Sequence, residues 1–219
     1  MTTSAPHITT PNPVASDAAT IRPRPRWART AGILIAVGGA LLTAATAIEL
    51  TADVATESGP ATAFWVLFLA STLTHVAAMV PLALGRGDGQ GAVGASLVGK
   101  VALLGFGALF LANQSMYLVT AYLLPSAALT EGALAFLVGM SAAQGVALLV
   151  GGIVIVRAGV LTGGARWAVL VLALVGFALG VVLNVSTVEA LSNAMYFVST
   201  GAQIVAGLVI FRSTVAAAK

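Results

Sequence analysis

The chain has no cysteine, which excludes disulfides, thiolate metal sites and cysteine nucleophiles. Charge is almost as scarce. Asp, Glu, Lys and Arg make up 8% of its 219 residues, against roughly 25% in ordinary soluble proteins. So few charges cannot cover a surface that faces water, whereas a surface that faces lipid needs none. Histidine occurs twice, as His7 and His75, and no second histidine or cysteine stands near His75 to complete a zinc or haem site. Paired carboxylates, or a nucleophile beside a base, are not visible either. Redox enzymes, intramembrane proteases and lipid-modifying enzymes therefore lack the residues they need. The expectation is a protein without a catalytic centre, resident metal or cofactor.

What fills the sequence is apolar: 59% of residues are hydrophobic. Several runs approach or exceed the roughly 20 residues that a helix needs to cross the hydrocarbon of a bilayer. Six spans are predicted, at about 30–50, 61–84, 97–123, 130–156, 166–184 and 190–211. The breaks have turn chemistry. Residues 51–60 hold Asp53, Glu57 and a Gly-Pro pair, 85–91 read GRGDGQG, Pro125 ends the third span, and GVLTGG occupies 159–164. The fold class is thus an all-α, polytopic membrane protein. Its transmembrane domain covers 29–212, between an N-terminal tail (1–28) and a short C-terminal tail (213–219). Residues 1–26 carry five of the eight prolines and read as disordered. A secretory signal also opens with basic residues, but here Arg22, Arg24, Arg26 and Arg29 come late. The run Thr30–Leu50 is long enough to span, which favours a retained first helix.

With the N-terminus inside, all ten cations fall on the inner side: Arg22, Arg24, Arg26, Arg29, Arg86, Lys100, Arg157, Arg166, Arg212 and Lys219. Five of the seven acids, Glu49, Asp53, Glu57, Glu131 and Glu189, fall outside. The positive-inside rule then predicts both termini in the cytoplasm of a cell membrane. The basic residues stand singly at helix ends and form no stripe, so nucleic acid is not an expected partner. Lys100 should snorkel to the inner surface. Trp27 and Trp167 fall at the inner interface and Trp65 at the outer one, with Tyr117, Tyr122 and Tyr196 in outer halves.

The even spans share a pattern: STLTHVAA at 71–78, MSAAQGVA at 140–147 and STGAQIVA at 199–206. Each places a hydroxyl residue three before His75, Gln144 or Gln203 and an alanine three after. The odd spans answer with small-residue knots, VGGALL at 37–42, FGALFL at 106–111 and VGFALG at 175–180. The pattern reads as three helical hairpins in tandem; a chain dominated by Ala, Gly, Val and Leu offers a compositional explanation of the same alignment. On either reading His75, Gln144 and Gln203 form a candidate central polar layer, bonded between helices. The knots should let helices approach closely.

The outer half is chemically richer. Asn113, Gln114, Ser115 and Tyr117 form a polar turn in the third span, and Asn184 ends the fifth. Glu189, Asn193 and Tyr196, spaced by four and three, share one helix face, and Glu49 ends the first span on the same side. Glu49, Asn113, Gln114, Tyr117, Glu189, Asn193 and Tyr196 are therefore the candidate ligand-binding residues. Asp88 lies in GRGDGQG, which lacks the spacing and lysine of a phosphate-binding loop and reads as a flexible turn.

RTAG at 29–32 and GGIVIVRAGVLTGGARWAVLVLALVG at 151–176 carry a likeness to known families. In the longer stretch a span exits through Arg157 and re-enters after a short Gly/Leu loop. The layout resembles uncharacterised six-span membrane protein families of high-GC, actinobacterial-type bacteria, over most of 29–212. That resemblance implies a bacterial inner-membrane protein and transfers no functional residue. Three functions follow as expectations. The first is binding of a small apolar or amphipathic ligand, or a lipid, in an outward-facing pocket. The second is a structural or regulatory subunit, with a membrane-protein partner or a second copy as neighbour. The third is a small-solute transporter or channel constricted at the His75 level.

Overall fold

The structure, a computed structural model, describes residues 25–85, 90–123 and 131–214, apart from the side chains of Ala133 and Asn184. Arg22, Arg24, Arg86, Asp88, Pro125, Lys219, His7 and the side chain of Asn184 lie outside the described residues. The chain is all-helical. Its elements are α1 (Arg26–Thr51), α2 (Ser58–Leu84), α3 (Leu97–Leu118), α4 (Glu131–Ala158), α5 (Ala165–Val185) and α6 (Glu189–Phe211). α3 runs on into a π-helical turn, Val119–Leu123. All six helices are long and apolar enough to cross a membrane. The first begins earlier than the sequence predicts. Pro25, extended at φ −66° and ψ 136°, sets the start, so Arg26–Ala28 belong to α1 and not to the tail, with Trp27 and Ala28 buried. Proline cannot donate to a preceding turn but suits the residue at which a helix starts.

The helices form a closed ring. Each packs against its sequence neighbours, and α6 returns to pack against α1. Among the described residues no two helices across the ring bring their backbones together, and only side chains reach between them. Close approach at the α1–α6 seam depends on glycine: a Cβ on Gly32 would collide with the backbone of Gly207 and Phe211, and one on Gly207 with the backbone of Ala36. Without side chains the two backbones can touch, which in lipid supplies the dispersion that hydrophobic burial supplies in water.

The described chain starts and finishes at the same end, the terminal end. There Thr162 bonds Thr214 and the Arg29 guanidinium lies over the Phe211 ring at 5.5 Å. The larger core cluster sits at this end, built from all six helices and including Ile35, Leu82, Leu103, Ile155, Val169 and Ile210. A second cluster, Ala45, Val54, Phe64, Phe68 and Leu118, fills the far end between α1, α2 and α3. The far halves of the other three helices are looser. From Glu131 to Val150, Leu174 to Val185 and Glu189 to Ser199, no described side chain is buried. The bundle is therefore tight at the terminal end and, at the far end, walled on one side only.

Charge is sorted by end. The described cations (Arg26, Arg29, Lys100, Arg157, Arg166, Arg212) all lie at the terminal end, and the described acids (Glu49, Asp53, Glu57, Glu131, Glu189) all lie at the far end. Arg166 ties α5 to the end of α4 by donating from Nε to the Val156 carbonyl at 2.6 Å. Carbonyls in a helix's last turn lack intrahelical partners, so this bond serves a group that would otherwise be orphaned.

Candidate functional site

Glu49, in the last turn of α1, is the centre of the far-end arrangement. Its Oε1 accepts a hydrogen bond from the Tyr117 hydroxyl and another, at 2.5 Å, from the Tyr122 hydroxyl. α1 and α3 are not packed against each other. The three long side chains thus reach one another across α2, against its Phe64, Trp65 and Phe68. The π-helical turn makes this possible. Residues five apart on an α-helix diverge by about 140°, whereas an i→i+5 turn brings them onto one side. Tyr122 was not recognisable as a site residue from helical spacing for that reason; the tyrosine and its outer position were visible, the turn was not.

Aromatic rings surround the carboxylate. Tyr117 packs on Phe68 at 5.7 Å between centroids and edge-on against Tyr122 at 6.2 Å. Tyr122 also meets Phe64 at 5.4 Å and Trp65 at 5.8 Å. Phe64 and Phe68 are buried, while Glu49, Trp65 and Tyr122 are half-buried and Tyr117 is 39% exposed. The cluster is therefore firmly backed by α2 and open on its other side. Tyr196, on α6, interacts electrostatically with Glu49. One turn along α3, Asn113 accepts a hydrogen bond from the Ser141 hydroxyl of α4 at 3.2 Å. Gln114 and Asn193 are half-buried, and Glu189 is exposed at the start of α6. Glu49 and Tyr117 thus come together with Tyr122, and Asn113 a turn below is the link to α4; Tyr196 makes no hydrogen bond or ring contact with them among the described residues. A shallow furrow on α2, lined by Ser58, Gly59, Thr62, Val66 and Leu67, contains none of these residues.

The second cluster lies at mid-depth. His75 is buried, 6% exposed, and its Nδ1 is 2.8 Å from the Ser71 carbonyl oxygen. A carbonyl only accepts, so Nδ1 carries the proton and Nε2 keeps a lone pair. The Ser71 hydroxyl is spent on the Gly38 carbonyl at 2.8 Å. Gly38 and Gly39 explain why His75 and Gln203 are neighbours. A Cβ on Gly38 would stand 2.6 Å from the His75 ring, and one on Gly39 would stand 3.0 Å from Gln203 Cβ. α1 is thin enough here for both side chains to close on it. The Gln203 amide interacts with the ring without closing a well-formed hydrogen bond, so His75 Nε2 and Gln203 Oε1 are both buried without a partner among the described residues. Gln144 Oε1 is similarly orphaned, but Gln144 stands on α4, which packs against α3 and α5 only.

The glycine knots divide. Gly38, Gly39 and Gly107 meet neighbours, but a Cβ on Gly105 or Gly176 would touch nothing within 4 Å. The close approach expected of FGALFL at 106–111 is made by Gly107, and that expected of VGFALG at Gly176 is not made, because that face meets no neighbouring helix. Among the described residues no group of His, Asp and Glu is placed to hold a metal ion.

Six apolar spans in a closed ring define a multi-pass membrane protein. Comparison with protein-family models, curated proteins and solved structures finds no match to this chain.

Proposed function

We propose that this chain is an integral membrane protein that binds a small apolar or amphipathic ligand, or a lipid, at its far end, without covalent chemistry. One observation carries the reading: Glu49 is held by two tyrosine hydroxyls against an aromatic wall, on the side where α4, α5 and α6 bury nothing. A polar group fixed among rings, beside loosely packed apolar helices, is how a site orients an amphiphile. The sorting of cations and acids supports placing the far end outward and both termini in the cytoplasm, at a cell membrane. A bacterial inner membrane fits the same charge distribution.

Native mass spectrometry of protein extracted in mild detergent tests the proposal. The expected result is a retained adduct of defined mass that is lost in Asn113→Ala and Glu49→Gln. A bare wild-type chain that sheds only bulk lipid would refute it. The second reading, a small-solute transporter, has an observation of its own in the orphaned His75 Nε2 and Gln203 Oε1 at mid-depth. Unpaired polar atoms in hydrocarbon cost several kcal/mol each and mark solute pathways. Flux through proteoliposomes that His75→Ala abolishes would establish it; absence of flux for every solute tried would retire it.

A further inference from the structure

We infer that the occupant of the far-end site is an organic cation, an amphiphile bearing a protonated amine or a quaternary onium group, and that Glu49 binds the cationic centre. The inference rests on the ligand-binding reading above and narrows it to one charge class.

The first argument is charge. Glu49 is half-buried at the far end of α1, and no Lys or Arg among the described residues forms an ion pair with it, all of them lying at the opposite end. A carboxylate in a low-dielectric setting is costly unless paired, and intramembrane carboxylates characteristically face a partner of opposite charge. Among the described residues Glu49 meets hydroxyls and no cation. Both tyrosine bonds fall on Oε1. They fix the rotamer of the carboxylate, and no bond among the described residues falls on Oε2.

The second argument is the wall. Trp65, Tyr117 and Tyr122 keep accessible ring surface and are backed by buried Phe64 and Phe68, the five linked by ring contacts with centroids 5.4–6.4 Å apart. Ring faces attract cations through their quadrupoles and repel anions. A neutral hydrocarbon would gain from the same rings, yet it would leave the carboxylate without a counter-charge. An anion would oppose both carboxylate and ring faces. The third argument is shape. At the far end no described side chain of Glu131–Val150 or Glu189–Ser199 is buried, which leaves loosely packed apolar helix there for the tail of an amphiphile. Carboxylate, ring faces and apolar surface together match one ligand class.

The test uses the full chain in phosphatidylcholine nanodiscs and two probes of the same size and apolar surface, tetraphenylphosphonium and tetraphenylborate. Equilibrium binding is expected to be saturable for the phosphonium and non-saturable for the borate. Glu49→Gln should weaken phosphonium binding by about tenfold or more, the scale of one desolvated charge contact. Glu49→Asp, which keeps the charge, should retain most of it and guards against a folding defect in the glutamine variant. Equal phosphonium affinity in wild type and Glu49→Gln would overturn the inference, as would saturable borate binding or no saturable phosphonium binding. Native mass spectrometry separates the two proposals. A neutral adduct that persists in wild type and is lost in Asn113→Ala, with no response to the cation, keeps the site and removes its cationic occupant.

Discussion

Replacing Gly38 by alanine probes the point where α1, α2 and the His75 ring converge. A Cβ there would lie 2.6 Å from both Cε1 and Nδ1 of His75 and 2.7 Å from Thr74 Oγ1. The ring cannot simply swing aside. Its Nδ1–H is committed to the Ser71 carbonyl, and its face meets Phe110 at 5.6 Å between centroids. Forcing one methyl into such a contact costs about 1–3 kcal/mol. Alanine's advantage in helix propensity, about 1 kcal/mol in water, largely cancels, because the spans stay helical in the heat-denatured detergent state. Gly176→Ala is the matched control, since its Cβ would meet nothing within 4 Å. At about 2–4 °C per kcal/mol, a 2 kcal/mol cost lowers the unfolding midpoint by roughly 4–8 °C, while the control stays near wild type. Tryptophan fluorescence during a thermal ramp in detergent reads both. In a His75→Ala background the cost of Gly38→Ala should fall by about half or more, leaving only the Thr74 contact. The packing argument collapses if Gly38→Ala unfolds no earlier than Gly176→Ala, or if its cost is the same with and without the imidazole.

Three other outcomes are expected. Tyr117→Phe and Tyr122→Phe should each cost about 1 kcal/mol, below the full worth of a bond to a charged group because the site is partly exposed, and the double variant less than the sum; unchanged midpoints for both would show the hydroxyls idle. In the loop between α1 and α2, the Thr56 hydroxyl at 2.6 Å and the Ala55 amide at 3.1 Å hold the exposed Asp53 carboxyl below its ordinary value of 3.8. A depressed carboxyl contributes order above its unfolded value and loses it as pH falls through the folded one, so the protection of the Ala55 amide, its exchange rate measured against the intrinsic rate at each pH, should fall only below about pH 3.8, and in Asp53→Asn that protection should not change there. Because the chain has no cysteine, Ala55→Cys should react with an impermeant maleimide in intact cells and Ala158→Cys only after lysis; the opposite pattern would invert the orientation.

The spans were readable because lipid imposes a length that sequence cannot hide, and the six helices fall within a few residues of the apolar runs. The loops were readable where glycine, proline and acids interrupt them. Beyond that, legibility stops at faces. His75 and Gln203 shared a pattern and do become neighbours, yet the same pattern put Gln144 on a helix that reaches neither. Thr72, Ala78, Thr200 and Ala206 are buried, while Ser141 is exposed and Ala147 is half-buried. VGGALL and VGFALG look alike as strings; one meets a histidine and the other open space. Which side of a uniformly apolar helix meets a neighbour depends on partners far along the chain, and where every face is hydrophobic no amphipathic stripe announces it. The Glu49 pairing needed a π-turn that no residue type signals.

Closure of the ring bears on how the chain can be made and remade. Five of the six interfaces join consecutive helices and can form as each emerges; the sixth, between α6 and α1, waits for the whole chain. The glycine faces of α1 at Gly32 and Gly39 therefore stay uncovered through most of synthesis, and the last helix completes the first. Since every helix has the same two kinds of neighbour, the ring has no privileged opening. Joining the two ends, which emerge at one side, and cutting instead between α2 and α3 or between α4 and α5 should give circular permutants that assemble the same bundle. In those permutants α1 and α6 become consecutive, and a different seam becomes the one that closes last.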